Sequence, residues 1–304
     1  MAGSLRRARG LARGLGVLLL GGLSAAALAA PPAGGDGTIW VLHGRHNSVY
    51  VAGSMHLLRS GESQLPASYE RAYASARRIV MEIDLDDLDP SAAASFTSTH
   101  AIYPEGQSLH ATLGDARWER ARAAFESAGL PVSALDRMEP WAASLLYSVT
   151  QMTRAGLDPT LGVEEQLVQR ARGDHKPITG LETLEQQLAL FDDLPMESQA
   201  RLLELTLDEN ADLDAELANL GRAWRNGDAG GLEKLLLRDY REFPDLYESI
   251  VYRRNRAWVP QVEALLQGEE DVLVVVGALH LVGERGLIEL LRRRGVRAER
   301  YRLH

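Results

Sequence analysis

The sequence predicts an α/β fold: a mixed β-sheet with helical layers and large helical insertions. Three observations predict it. Two apolar runs of strand type stand near opposite ends of the chain, Val49-Tyr50-Val51-Ala52-Gly53-Ser54-Met55-His56 and Val272-Leu273-Val274-Val275-Val276-Gly277-Ala278-Leu279-His280. Each closes at Gly and places a His three residues later, the pattern of a buried strand entering a tight turn. Between them lie two long stretches of helical character, residues 109–172 and 183–266, and the chain ends in a strand–helix–strand pattern over residues 272–301.

Residues 1–30 read as an export signal. Arg6, Arg7, Arg9 and Arg13 form a basic front, an apolar Gly/Ala-rich stretch follows, and Ala27-Leu28-Ala29-Ala30 offers small residues for cleavage ahead of Pro31-Pro32. A periplasmic or secreted location is expected. An uncleaved signal would instead tether the chain to the membrane. With no Cys there is no lipid-anchoring thiol, no disulfide and no thiolate metal site. Residues 31–304 are expected to form one domain with insertions. Formal charge is −9, and about −13 once the four signal arginines are removed, which argues against nucleic acid as a partner because phosphates require a basic surface.

Residues 38–42 and 48–52 are expected to pair as a hairpin around Gly44-Arg45-His46-Asn47, with His43 and His46 as solvated loop residues. After His56 and a polar loop, Pro66 opens an amphipathic helix to about Arg77, and residues 78–85 form the next strand. Trp118, Ala121, Phe125, Leu145, Val149 and Met152 recur at helical spacing and suffice for packed helix faces. Lys176-Pro177-Ile178-Thr179-Gly180-Leu181-Glu182 is a short strand closing near Gly. Gly227, Gly230-Gly231 and Pro244 are expected to break the second helical stretch, and the acids at 208, 209, 212, 214 and 216 to form a solvated helix face. The last unit is the strand 272–276, a helix over 284–294, Gly295 and a strand over 296–301.

Four strand ends then bear His56, Glu82, Glu182 and His280. If those strands share one sheet, two imidazoles and two carboxylates converge on one edge, where open α/β sheets place their sites. Such a set can bind a divalent metal and leave a position for water, which one carboxylate could deprotonate. Nitrogen and oxygen ligands without sulfur suit Mn, Co or Zn, and the sequence does not choose among them.

Gly53-Ser54-Met55-His56 with Met81-Glu82-Ile83-Asp84 resembles the front of the TraB/GumN family. Gly180-Leu181-Glu182-Thr183, Arg254-Asn255 and Gly277-Ala278-Leu279-His280-Leu281-Val282-Gly283 resemble its later blocks, and the signal segment resembles the secreted GumN branch. The resemblance runs from about Thr38 to Leu303. It implies a scaffold shared with the TIKI metal-dependent proteases and, more distantly, with erythromycin esterase-like enzymes and haem-binding lipoproteins. It implies His56 and His280 as metal or catalytic residues. Glu82 and Glu182 are the acids, one a ligand and the other a base, and Arg254 and Asn255 contact substrate or support the ligands. The expected function is therefore a divalent-metal-dependent hydrolase of peptide or protein substrates. Two rivals stand beside it: a non-enzymatic binder of haem, metal or peptide, and an accessory in polysaccharide export. A haem cleft calls for an aromatic wall, and only 6% of the chain is aromatic, which favours the hydrolase. The two Gly-x-x-His blocks also suggest pseudo-symmetric halves.

Overall fold

The structure is a computed structural model that describes residues 35–207, 213–238 and 243–303. The export-signal reading, including the membrane tether, lies outside the described residues, as do the acids at 208, 209 and 212. Among the described residues no helix is long and apolar enough to cross a membrane.

The chain is a mixed α/β structure. Its main sheet contains β1 (Ile39–His43), β2 (Ser48–Ser54), β4 (Arg78–Met81), β6 (Ile178–Gly180), β7 (Val272–Gly277) and β8 (Ala298–Arg300), in the order β6-β4-β7-β2-β1-β8. The expected hairpin pairs β1 with β2 antiparallel, and β1 also pairs antiparallel with β8. The neighbours β6, β4, β7 and β2 are mutually parallel, so their carboxyl ends share one edge. β3 (Leu58–Arg59) and β5 (Leu157–Asp158) form a separate two-stranded ribbon.

Strand side chains alternate between the two faces. Leu273 and Val275 of β7 join one core with Tyr50, Ala52, Ile79 and Met81. Val272, Val274 and Val276 join the other with Val49, Val51 and Val80. This full burial on both faces explains why β7 reads as a continuous apolar run rather than an alternating one. The first face is covered by α1 (Ala67–Ser75), through Tyr69, Ala72 and Tyr73. The second is covered through Trp258, Val262, Leu287 and Leu291 of the last two helices.

The insertion between β4 and β6 contains α2 (Pro90–His100), α3 (Leu109–Leu113), α4 (Asp115–Ser127), α5 (Val132–Leu135), α6 (Pro140–Arg154) and α7 (Val163–Asp174). That between β6 and β7 contains α8 (Leu184–Asp192), α9 (Met196–Thr206), α10 (Leu213–Arg225), α11 (Ala229–Leu236), α12 (Pro244–Tyr247) and α13 (Arg253–Leu265). The last helix, α14 (Leu287–Arg293), ends ahead of Gly295, whose φ of 87° is the left-handed conformation expected after a helix. The two insertions share cores: Trp141 and Leu145 pack with Leu190, Phe191 and Leu202, while Phe125 and Tyr147 pack with Leu203.

Two expectations are corrected. The strand expected over 78–85 stops at Met81, where the next residue, Glu82, sets its buried carboxylate to accept from Gly277 N at the end of β7. Gly230 and Gly231 do not break a helix. They lie in the first turn of α11, where the Asp228 side chain accepts a hydrogen bond from Gly231 N at 2.9 Å. A Cβ at Gly231 would overlap that carboxylate, so the glycine permits the cap.

Candidate functional site

The register of the sheet assembles the site. Gly53 stands opposite Val276 and Ser54 opposite Gly277, so the two Gly-x-x-His segments leave adjacent parallel strands at the same level. A Cβ at Gly53 would lie 3.0 Å from Thr38 Cγ2 and 3.1 Å from Ala278 Cα, so glycine is what lets the two segments approach. The Gly53 carbonyl accepts from Tyr69 Oη and from Trp224 Nε1, both at 2.6 Å, which fixes the end of β2. On the other side the ladder continues past β6: Leu181 N donates to Met81 O at 2.8 Å and Glu182 N to Glu82 O at 2.9 Å. Glu82 and Glu182 are therefore neighbours by backbone pairing.

Arg254 joins the two carboxylates. It follows a π-helical turn over Glu248–Tyr252, a widened turn of the kind found at functional sites. Its Nε donates to Glu182 Oε1 at 2.9 Å, and its Nη2 contacts both Glu82 Oε2 and Glu182 Oε1. Its Nη1 donates to His280 Nε2 at 3.0 Å. The guanidinium is 5% exposed and lies over the Trp258 ring. Gln187 donates its Nε2 to Glu82 Oε2 at 3.0 Å and to Glu182 Oε1 at 2.9 Å. It sits on α8, whose start is fixed by reciprocal Thr183 and Gln186 hydrogen bonds.

The environments push the two acids apart. Burial raises the Glu82 pKa, but the Arg254 charge and the Gly277 N–H at 2.6 Å outweigh it and hold the group down at about 2. For Glu182 burial wins over the same guanidinium, and its pKa is raised.

His280 is fully buried, and its tautomer follows from its neighbours. Asn255 donates its amide nitrogen to His280 O at 3.2 Å and to Arg285 O at 3.0 Å. Its Oδ1 is therefore the acceptor facing His280 Nδ1 at 2.7 Å, so Nδ1 carries the proton and Nε2 accepts from Arg254. Burial, then the Arg254 charge, push the His280 pKa down to about 3, leaving the ring neutral.

His56 is in a different state. Gly162 packs so closely that a Cβ there would overlap the His56 carbonyl, and Val163 N donates to Met55 O at 3.1 Å. These contacts bring the first turn of α7 against the His56 loop. Glu164, in that turn, sets its Oε1 2.8 Å from His56 Nδ1. The contact has hydrogen-bond length without hydrogen-bond alignment: both Glu164 oxygens and His56 Nε2 are buried with no hydrogen-bond partner. Burial depresses the His56 pKa, but the Glu164 and Glu82 charges overcome it, and the net shift is upward.

His56, Glu82, Glu164 and Gln187 face a cavity of about 360 Å³ between the sheet edge and the helical insertions. The rest of its wall is mostly apolar and includes Leu85, Met138, Trp141, Leu145, Leu184 and Leu188. His280, Glu182, Arg254 and Asn255 lie behind this wall rather than in it. Sequence reasoning missed Glu164 and Gln187. The available signals were an acid just after Gly162 at a helix start and a Gln one turn into a capped helix, both common in helices of no function.

Residues present at this edge do not fit a divalent ion, or a haem iron, held between the two histidines. Both His280 ring nitrogens are committed, and the group facing its Nε2 is a cation. Both Glu82 oxygens are likewise occupied by donors. Among the described residues no group of three or more His, Asp or Glu side chains is disposed to hold a metal.

Two parallel strands of this α/β sheet each end in Gly-x-x-His, with acids after two further strands at the same edge. The chain belongs to the TraB/PrgY/gumN family, whose model matches residues 38–300. It is similar to the uncharacterized protein YbaP of Shigella flexneri, with 27% identity over 251 residues covering 82% of this chain and 88% of that protein. It is equally similar to uncharacterized protein YbaP of Escherichia coli (strain K12), 27% identical over 246 residues covering 80% and 87%. No solved structure matches the chain.

Proposed function

We propose that this protein is a hydrolase of acyl substrates, peptides among them, in which His56 activates water. The observation that carries the reading is the His56–Glu164 pair: one ring nitrogen faces a carboxylate, the other is buried and unpartnered, and both residues line the cavity. An imidazole set beside a carboxylate at a cavity supports a general-base role. Neutral His56 takes a proton from water at Nε2 as the water oxygen bonds to the substrate carbonyl carbon. The imidazolium so formed, stabilised by Glu164, returns the proton to the leaving nitrogen or oxygen as the scissile bond breaks. A base of this kind is worth about 10²–10⁴-fold in rate. Arg254, Glu82, Glu182 and His280 act as a buried brace that holds the strand ends under the cavity. His280, with both ring nitrogens engaged by Arg254 and Asn255, takes no part in activating the water.

The export signal read over residues 1–30 supports a periplasmic or secreted protein. The same cavity also supports a second reading, a non-enzymatic carrier of a small apolar ligand, because its walls are mostly apolar. Hydrolysis of a panel of p-nitrophenyl esters and acyl anilides, with and without EDTA, separates the two. The hydrolase reading expects turnover that survives EDTA and is lost in His56→Ala. Absence of turnover across the panel would leave the carrier.

A further inference from the structure

The cavity itself specifies what enters it. Its volume of about 360 Å³ lies within the range of small-molecule sites and holds roughly ten to twelve non-hydrogen atoms. Leu88 and Leu146 belong to its wall yet are 39% and 37% exposed, so the wall carries apolar surface that reaches solvent. Leu85, Met138, Trp141 and Leu145 continue that surface inward.

The charged residues of the lining are mostly of one sign. Glu164 lines the cavity with a side chain only 9% exposed, and neither of its oxygens accepts a hydrogen bond. Glu165 and Glu82 also line the cavity, and the Glu82 charge is offset by Arg254. His56 Nδ1 lies 2.8 Å from one of these oxygens without an aligned hydrogen bond, so a ligand that brings N–H groups to the carboxylate gains what the protein leaves unmade. A ligand carboxylate placed there would meet like charge.

We infer that the cavity binds an unbranched or branched apolar group of about eight carbons, ending in an amine or amide N–H that meets Glu164, and that it rejects the matching carboxylate. The ligand chemistry stands on the cavity alone. The further step, that the amide is the bond cleaved, rests on the hydrolase reading.

The test measures binding of octylamine, octanamide and octanoate to the full chain by titration calorimetry at neutral pH, with butylamine as the short control. Octylamine and octanamide bind, octanoate binds at least about tenfold more weakly, and each methylene removed weakens binding about fourfold. Ala142→Phe, which fills the cavity, removes octylamine binding, while Leu145→Ala, which enlarges it, shifts preference to decylamine. Glu164→Gln erases the discrimination against octanoate. Equal affinity for all three octyl probes, or binding indifferent to chain length, overturns the inference. Octylamine binding without hydrolysis of any acyl substrate would defeat the hydrolase reading and leave this inference standing. Hydrolysis indifferent to acyl length would do the reverse.

Discussion

His56 Nδ1 stands 2.8 Å from Glu164 Oε1, on a loop and a helix that meet only because Gly162 lacks a side chain. The other Gly-x-x-His histidine has no such partner: His280 faces an amide oxygen and a guanidinium. Two motifs identical in spacing thus yield one imidazole with a raised pKa beside a cavity and one held neutral in the core. The difference comes from what packs against each strand end, α7 with its acid in one case and α13 with its cation in the other.

Acid should destabilise the fold through His280. Its folded pKa is about 3 against an ordinary 6.5, so below 6.5 the unfolded chain binds a proton that the folded chain refuses. Stability then falls as pH drops from 6.5 toward 3 through this residue. Glu82, lowered to about 2, adds to the loss as pH falls below 4.5. His56 acts in the opposite sense: its raised pKa contributes stability that is complete below 6.5 and is lost as pH rises through the folded value. Urea midpoints measured from pH 7 to 4 should fall steadily with acid, and a flat profile would contradict the buried neutral imidazole.

Arg254→Met should be among the most damaging substitutions. It leaves Glu82 and Glu182 buried without their shared cation and removes the donor to His280. Breaking a buried ion pair from one side costs about 3–5 kcal/mol, and denaturant unfolding of the variant measures it. A loss below 1 kcal/mol would mean that the two carboxylates find other partners or protonate readily.

Gly53→Ala tests the close approach of the two motif strands. The added Cβ would meet Thr38 and Ala278 at 3.0–3.2 Å, in a strand end already fixed by Tyr69 and Trp224. Overpacking of this kind costs about 1–3 kcal/mol, read as a lowered Tm. An unchanged Tm would show that the strands separate freely.

Much of this arrangement was legible in the residues. The apolar runs ending at Gly53 and Gly277 marked the two central strands, because a strand buried on both faces must be apolar at every position. His56, Glu82, Glu182 and His280 were legible as residues at the ends of strands, and backbone register does bring those ends to one edge. What was not legible was how the four divide. Whether an imidazole meets a cation or a carboxylate depends on helices from the insertions, and nothing in the local sequence of Gly277-Ala278-Leu279-His280 announces Arg254. Glu164 was hidden for the complementary reason: an acid in a helix's first turn is favourable anywhere, so its burial against His56 leaves no trace in the spacing. Gly230-Gly231 misled because glycine usually ends helices, whereas here it makes room for the Asp228 cap.

The pH dependence of kcat/KM for p-nitrophenyl octanoate, compared between wild type and Glu164→Gln in the presence of EDTA, tests the central claim most directly. Wild type should lose activity on acidification with an apparent pKa above 6.5, since the base works only when neutral and Glu164 raises its pKa. Glu164→Gln should move that limb below the wild-type value and lower the plateau about 10²–10⁴-fold. Coincident profiles, or activity that vanishes with EDTA while ignoring the substitution, would contradict the account.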